Sequence, residues 1–166
     1  MSGTAPAIDP ITAIASSLPS LGPALFEMAA KGQPIPWSPI LSVGIGSIDA
    51  QHRVLLNYIN QLSSAIICGQ STTTLIEIID SLDSYARLHF RYEERLFVIH
   101  HWQEQESHER AHRHFERQLI AFQERLAAGD GTLTRDLLRF LIVWLAEHIL
   151  VDDAAFGPHF QSCGVR

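Results

Sequence analysis

Residues 74–93 read TLIEIIDSLDSYARLHFRYE. Thr74-Leu-Ile-Glu77 has the form of a capping box, and behind it Ile78, Ile79, Leu82, Tyr85 and Leu88 recur at helical spacing. On that helix His89 and Glu93 stand four residues apart, so an imidazole lies one turn from a carboxylate on the same side. The pattern predicts a helix running from Thr74 to about residue 98.

Three further stretches carry the same period. Residues 49 to 68 space Leu55, Leu56, Ile59, Leu62, Ile66 and Ile67 at intervals of mostly three and four. Ser107 is placed to cap a third helix through Phe115, Leu119, Phe122 and Leu126, stopped by Gly129-Asp-Gly131. The fourth, about 133 to 150, is nearly all apolar on one side. No stretch alternates with period two over a useful length, so the fold class is all-α. Four helices of roughly twenty residues with short connections predict an up-down-up-down bundle. Residues 1–36 form an N-terminal extension in which Pro6, Pro10, Pro19, Pro23, Pro34 and Pro36 preclude long helices. Ile11, Ile14 and Leu18, then Leu21, Leu25, Phe26 and Met28, allow short amphipathic turns that dock on the bundle or a linker that does not. The bundle is expected over 37–160, with a tail at 161–166.

Each predicted helix offers a metal-binding side chain: His52 on the first, His89 and Glu93 on the second, His108 and His112 on the third, His148 with Asp152 and Asp153 at the end of the fourth. An apolar bundle core cannot hold imidazoles and ionised carboxylates without a cost of several kcal/mol unless they are paired or bind a cation. Five histidines and two carboxylates exceed the needs of one tetrahedral zinc and suit two metals bridged by the carboxylates. Without thiolates among the candidates, the set suits iron. Spacing leaves the last carboxylate open. Four positions after His148 lies about 40° round an ideal helix and five positions about 140°, so simple geometry favours Asp152.

The combination of Trp37, Val43-Gly-Ile45, Ile48-Asp49-Ala-Gln51-His52, His89-Phe90 with Glu93-Glu94, His108 with His112 and Phe115, and Trp144-Leu145 with His148-Ile149 and Asp153 resembles the hemerythrins, especially their bacterial branch. The likeness spans about residues 37 to 158. It implies that His108, His112 and His148 bind one iron, that His52 and His89 bind the other, and that Glu93 and Asp153 bridge them. An oxygen bridge from solvent completes an Fe–O–Fe centre. It chooses Asp153 over Asp152, on the view that a helix end can unwind to redirect a side chain. The two-histidine iron keeps an open position for dioxygen, walled by Leu55, Phe115, Trp144, Leu145 and Ile149. An apolar wall without proton donors favours reversible binding over cleavage. The implied function is an oxygen carrier, storage or delivery protein rather than an enzyme.

Two features depart from the family pattern. Phe156 stands where many relatives have Tyr, and Phe97-Val-Ile-His100-His101-Trp102 lacks their usual Met and Tyr-Pro. His100, His101, His114 and His159 are expected to lie outside the metal set. Three other functions compete. An oxygen or redox sensor would use the same centre, although no output module follows in this chain. A ferritin-like oxidase or peroxidase would need Glu-x-x-His on two helices, and only Glu109-Arg-Ala-His112 fits. A structural zinc bundle is the third.

Composition limits the partners. A net charge of -6 with 12 Lys+Arg gives no basic stripe for nucleic acid or an anionic membrane. Residues Met1 to Pro10 carry no Lys or Arg, and the apolar run Leu137 to Ile149 is broken by Arg139, Glu147 and His148, so no signal peptide or membrane span is expected. Cys68 and Cys163 are too few for a disulfide framework and suit a reducing, cytoplasmic setting.

Overall fold

The computed structural model describes residues 18–130 and 133–166. The elements are α1 (Leu18–Ala30), a short 3-10 turn (Pro39–Leu41), α2 (Gly46–Ile67), α3 (Thr72–Ile99), α4 (Gln105–Ala127), α5 (Thr134–Glu147), a π-helical turn (His148–Asp153) and α6 (Ala154–Ser162). Helices α2 to α5 pack each on its sequence neighbour, and α5 returns against α2, which gives the up-down-up-down bundle. The docking turn expected at Ile11 and Ile14, and Gly131 of the expected helix stop, lie outside the described residues.

Helix ends follow local chemistry more closely than the sequence pattern suggested. Helix α3 starts two residues before Thr74, because Ser71 is the cap and its hydroxyl accepts from the Thr74 N–H at 3.2 Å. Helix α4 starts at Gln105, not at Ser107, whose hydroxyl instead donates to the Glu104 carbonyl at 3.3 Å. The early start traces to the preceding turn. His101 takes a left-handed φ of 52°, which lets the Trp102 N–H reach back to the Phe97 carbonyl at 3.0 Å. Trp102 is thereby buried against Phe97 and Phe156. Of the apolar series read on α3, Leu88 is half exposed, while Ala86, His89, Phe90, Glu93 and Phe97 take the inner face.

The segment of Leu21, Leu25, Phe26 and Met28 docks on the bundle as one of the two alternatives had it, but as a longer helix than the prolines suggested. Helix α1 runs through Pro23 for 13 residues and buries Leu21, Leu25, Phe26 and Ala29 on the bundle, mainly along α5. Proline inside a helix costs about 3 kcal/mol, and three large buried apolar side chains at about 1.5–3 kcal/mol each outweigh that. Gly22 permits the close approach, since a Cβ there would stand 3.2 Å from the Val143 Cα. Asn60 of α2 then holds the following segment with both ends of its amide, accepting from Ile35 N–H and donating to Ile35 C=O at 2.9 Å each. Ser63 donates to the Ala29 carbonyl at 2.9 Å. Asp49, in the first turn of α2, accepts from the Val43 N–H at 2.9 Å and from the Ser42 hydroxyl, which fixes the loop entering the bundle. Trp37 is partly buried and carries the Arg53 guanidinium 4.3 Å over its ring. Among the described residues no helix is long and apolar enough to cross a membrane.

Candidate metal centre

Helix α2 contributes His52, α3 His89 and Glu93, α4 His108 and His112, and the π turn His148 and Asp153. All seven are buried, none more than 2% exposed. Their ligand atoms fall into two groups, Glu93–His108–His112–His148 and His52–His89–Glu93–Asp153, with the atoms of each group within 4.8 Å of one another. His100, His101 and His114 fall in neither group, nor does His159, whose Nε2 donates instead to the His100 carbonyl at 2.8 Å and ties α6 to the end of α3.

Each carboxylate straddles the two groups. Glu93 turns Oε2 to His108 and His112 (3.4 and 3.2 Å) and Oε1 to His89 (3.4 Å). Asp153 turns Oδ1 to His108 and His148 (3.3 and 3.1 Å) and Oδ2 to His52 (3.0 Å). At such distances hydrogen bonds would be expected, yet the five Nε2 atoms and all four carboxylate oxygens have no hydrogen-bond partner. The atoms point at common centres rather than at one another. Ligands held at about 2.1 Å from one ion and at right angles stand about 3.0 Å apart, so these separations match edges of a coordination shell. Nine buried polar atoms without partners would be costly in a finished core, and a pair of cations removes that cost. The donor set fits metal ions.

The electrostatics agree. Burial pushes the His89 imidazole down to about 4, so it is neutral and ready to coordinate. Burial also opposes charge on His148, but Asp153, Asp152 and Glu93 around it push it up to about 10. His108 is likewise raised, against its burial, by Asp153 and Glu93. Burial favours a neutral Glu93 acid, but the imidazoles of His89, His108, His112 and His148 hold its carboxyl well below the usual range. Burial and Glu93 oppose ionisation of Asp153, which His148, His108 and His52 nevertheless hold below the usual range.

The π turn brings Asp153, and not Asp152, to the clustered groups. The Ala154 N–H bonds to the Ile149 carbonyl, five residues back, so the local turn is wider than α and the residue five after His148 comes back to the same face. The helix end does not unwind, as the sequence reading supposed. Instead the chain widens by one residue and continues into α6. Asp152 has its own place, with Oδ2 accepting from His148 Nδ1 at 3.2 Å. Two more such partners escaped the sequence reading: Gln51 Oε1 accepts from His89 Nδ1 at 2.9 Å, and Glu94 Oε1 from His112 Nδ1 at 3.0 Å. Their signal was available in principle, because a coordinating histidine commonly donates its second ring N–H to a carboxylate or carbonyl.

Residues 43–160 match the family model described as "Hemerythrin HHE cation binding domain". The chain belongs to the hemerythrin family. It is 32% identical over 126 residues to a bacteriohemerythrin of Stenotrophomonas maltophilia, covering 76% of this chain and 81% of that one. A bacteriohemerythrin of Pseudomonas aeruginosa is 32% identical over 120 residues, covering 72% and 77%. The crystal structure of a hemerythrin point mutant aligns with a TM-score of 0.70 at 23% identity, covering 75% of this chain and 95% of that one, a likeness of fold.

The five residues expected to wall the oxygen site do not all line one cavity. Leu145 and Ile149, flanking His148, line a small apolar cavity with Leu25, Ile35, Leu41, Leu56, Ile59, Ile142 and Ala146. Its roof comes from α1 and the segment after it. Phe115 packs instead against Trp144 with the rings tilted by 41° and 4.3 Å between centroids, and the Trp144 ring stacks on His148 at 4.3 Å. Leu55 is 3% exposed and belongs to the same continuous core. Phe156 is fully buried, 5.5 Å from the His108 ring, and its lack of a hydroxyl leaves that side of the centre aromatic.

Proposed function

We propose that His52, His89, Glu93, His108, His112, His148 and Asp153 hold two iron ions and that the protein binds dioxygen reversibly, as a carrier, store or delivery protein. The observation that carries this reading is the pair of buried carboxylates, each with one unpartnered oxygen toward a three-imidazole group and one toward a two-imidazole group. Ferrous iron held by these residues would supply the electrons that dioxygen needs. The chain supplies the rest. The proposed wall of Leu55, Phe115, Trp144, Leu145 and Ile149 brings no acid group, and its largely buried apolar surface would exclude water, so bound oxygen could leave as it came. Phe156 removes a further hydroxyl from the neighbourhood. Against an oxidase or peroxidase, Glu109 of the single Glu-x-x-His motif pairs with Arg113 at 3.0 Å and is not among the clustered groups.

The test is to load the protein with iron, reduce it without air, and cycle it between air and argon while recording the visible spectrum. A band that appears and disappears over several cycles with two irons per chain is expected. A colourless iron-free protein, or a band that never reverses with steady consumption of reductant, overturns the reading. One observation favours oxygen sensing as a second reading: Leu25 and Ile35 share a cavity wall with Leu145 and Ile149 beside His148. Protease cleavage before residue 36 in one oxidation state alone would support it, and identical digestion in both states would count against it.

A further inference from the structure

We propose that the centre fills in a fixed order, the position between Glu93, His108, His112 and His148 first and the position between His52, His89, Glu93 and Asp153 second, and that Glu94, Asp152 and Gln51 set this order. The inference rests on the two-ion reading and adds to it the residues that make the two positions unequal. Coordination through Nε2 leaves the proton on Nδ1, and the partner of that N–H tunes the ring. A carboxylate partner draws the proton, gives the ring partial negative charge and strengthens its donation, whereas an amide oxygen only fixes tautomer and orientation.

The partners divide unevenly. On the three-imidazole side His112 Nδ1 faces Glu94 Oε1 at 3.0 Å and His148 Nδ1 faces Asp152 Oδ2 at 3.2 Å, both carboxylates. On the two-imidazole side His89 Nδ1 faces the Gln51 amide oxygen at 2.9 Å. His52 and His108 contribute one Nδ1 to each side, and neither has a hydrogen-bond partner. The first position thus has one more ring and two charged backings against a single neutral one. The difference in charge is independent of the difference in ring count, so it can be removed separately. Glu94 and Asp152 have side chains 30% and 40% exposed, and isosteric amides there disturb no core packing.

The experiment is an anaerobic cobalt(II) titration of the metal-free protein, followed by calorimetry and by the visible bands of the bound ion. The wild-type protein should show two resolved steps, and His52→Ala should retain only the tighter one, which locates it. Glu94→Gln and Asp152→Asn should each weaken the tight step by about ten-fold and leave the weaker one in place. Gln51→Glu should strengthen the weaker step and narrow the gap, a gain that a merely structural role would not give. Equal affinities for the two ions in the wild type, or an unchanged tight step in the E94Q/D152N double variant with normal helix content, would overturn the proposal. The titration involves no dioxygen, so its failure is separate from failure of the oxygen-binding reading. Ordered cobalt steps in a protein without a reversible air-dependent band would retain this inference and sink only that one.

Discussion

Leu62, Ile79, Leu82, Leu119 and Leu126 in one half of the bundle, and His52, His89, Glu93, His112 and Asp153 in the other, are all 2% exposed or less. The same three helices, α2, α3 and α4, supply both sets apart from Asp153, which comes from the π turn, so backbone geometry alone does not distinguish the halves. Their chemistry does. The aliphatic half closes on itself, because apolar side chains need only contact and exclusion of water. The polar half satisfies its outer nitrogens at His89, His112 and His148 but leaves the inner atoms converging on two centres without hydrogen bonds. A bundle can therefore be well packed throughout and still be finished in only one half until cations are added.

The sharpest way to break this contrast is Glu93→Ala. It removes an oxygen from both positions at once, so the ion count should fall from two per chain to below one, measured by metal analysis after desalting. Retention of two ions would remove Glu93 from its bridging role. Leu82→Ala, in the other half, should leave the ion count at two while lowering stability by about 2–5 kcal/mol, read from the denaturant midpoint. If it also stripped the metal, the halves would not be independent.

A gentler probe uses acidity. His148, pushed up to about 10, carries a proton on each ring nitrogen in the metal-free protein near neutral pH, while His89, pushed down to about 4, does not. Metal must displace the inner proton of His148, so loading at about pH 7 should acidify a weakly buffered solution, and affinity should rise as pH climbs toward 10. The sign for folding is opposite. A raised imidazole favours the metal-free fold fully below its unfolded value of about 6.5, and that contribution is lost as pH rises through about 10. A pH-stat titration without proton release would contradict the assignment. The smallest effect concerns the turn that leads into α4. Replacing His101 with Gly relieves a left-handed backbone at a cost in chain entropy, for a net gain of about 0.5–1 kcal/mol in thermal or denaturant unfolding. A loss of stability would show that the imidazole itself holds the turn.

The helical class and the ligand-bearing faces were legible in the sequence because both follow from residue spacing. His89 with Glu93 and His108 with His112 are i,i+4 pairs whose consequence is local. Other features depend on what lies across the bundle. Pro23 reads as a helix breaker until the surface under Leu21, Leu25 and Phe26 is known. His101 carries no sign of its left-handed turn, which follows from the burial of Trp102. The π turn at His148–Asp153 cannot be obtained from an ideal helix wheel, which pointed to Asp152. That residue does face His148, but at its outer nitrogen. The family likeness selected Asp153 where spacing did not, and the wider turn supplies the physical reason. The roles of Gln51 and Glu94 depend on which side chain reaches which Nδ1 across the bundle, a fact of packing between helices, whereas Asp152 reaches His148 within the π turn itself.

The most direct test is a crystal of the iron-loaded protein measured on both sides of the iron absorption edge. The account predicts two anomalous peaks, one among Glu93, His108, His112 and His148 and one among His52, His89, Glu93 and Asp153, with Glu93 and Asp153 touching both. A single peak with a complete shell, or iron elsewhere while these side chains stay in place, would contradict it.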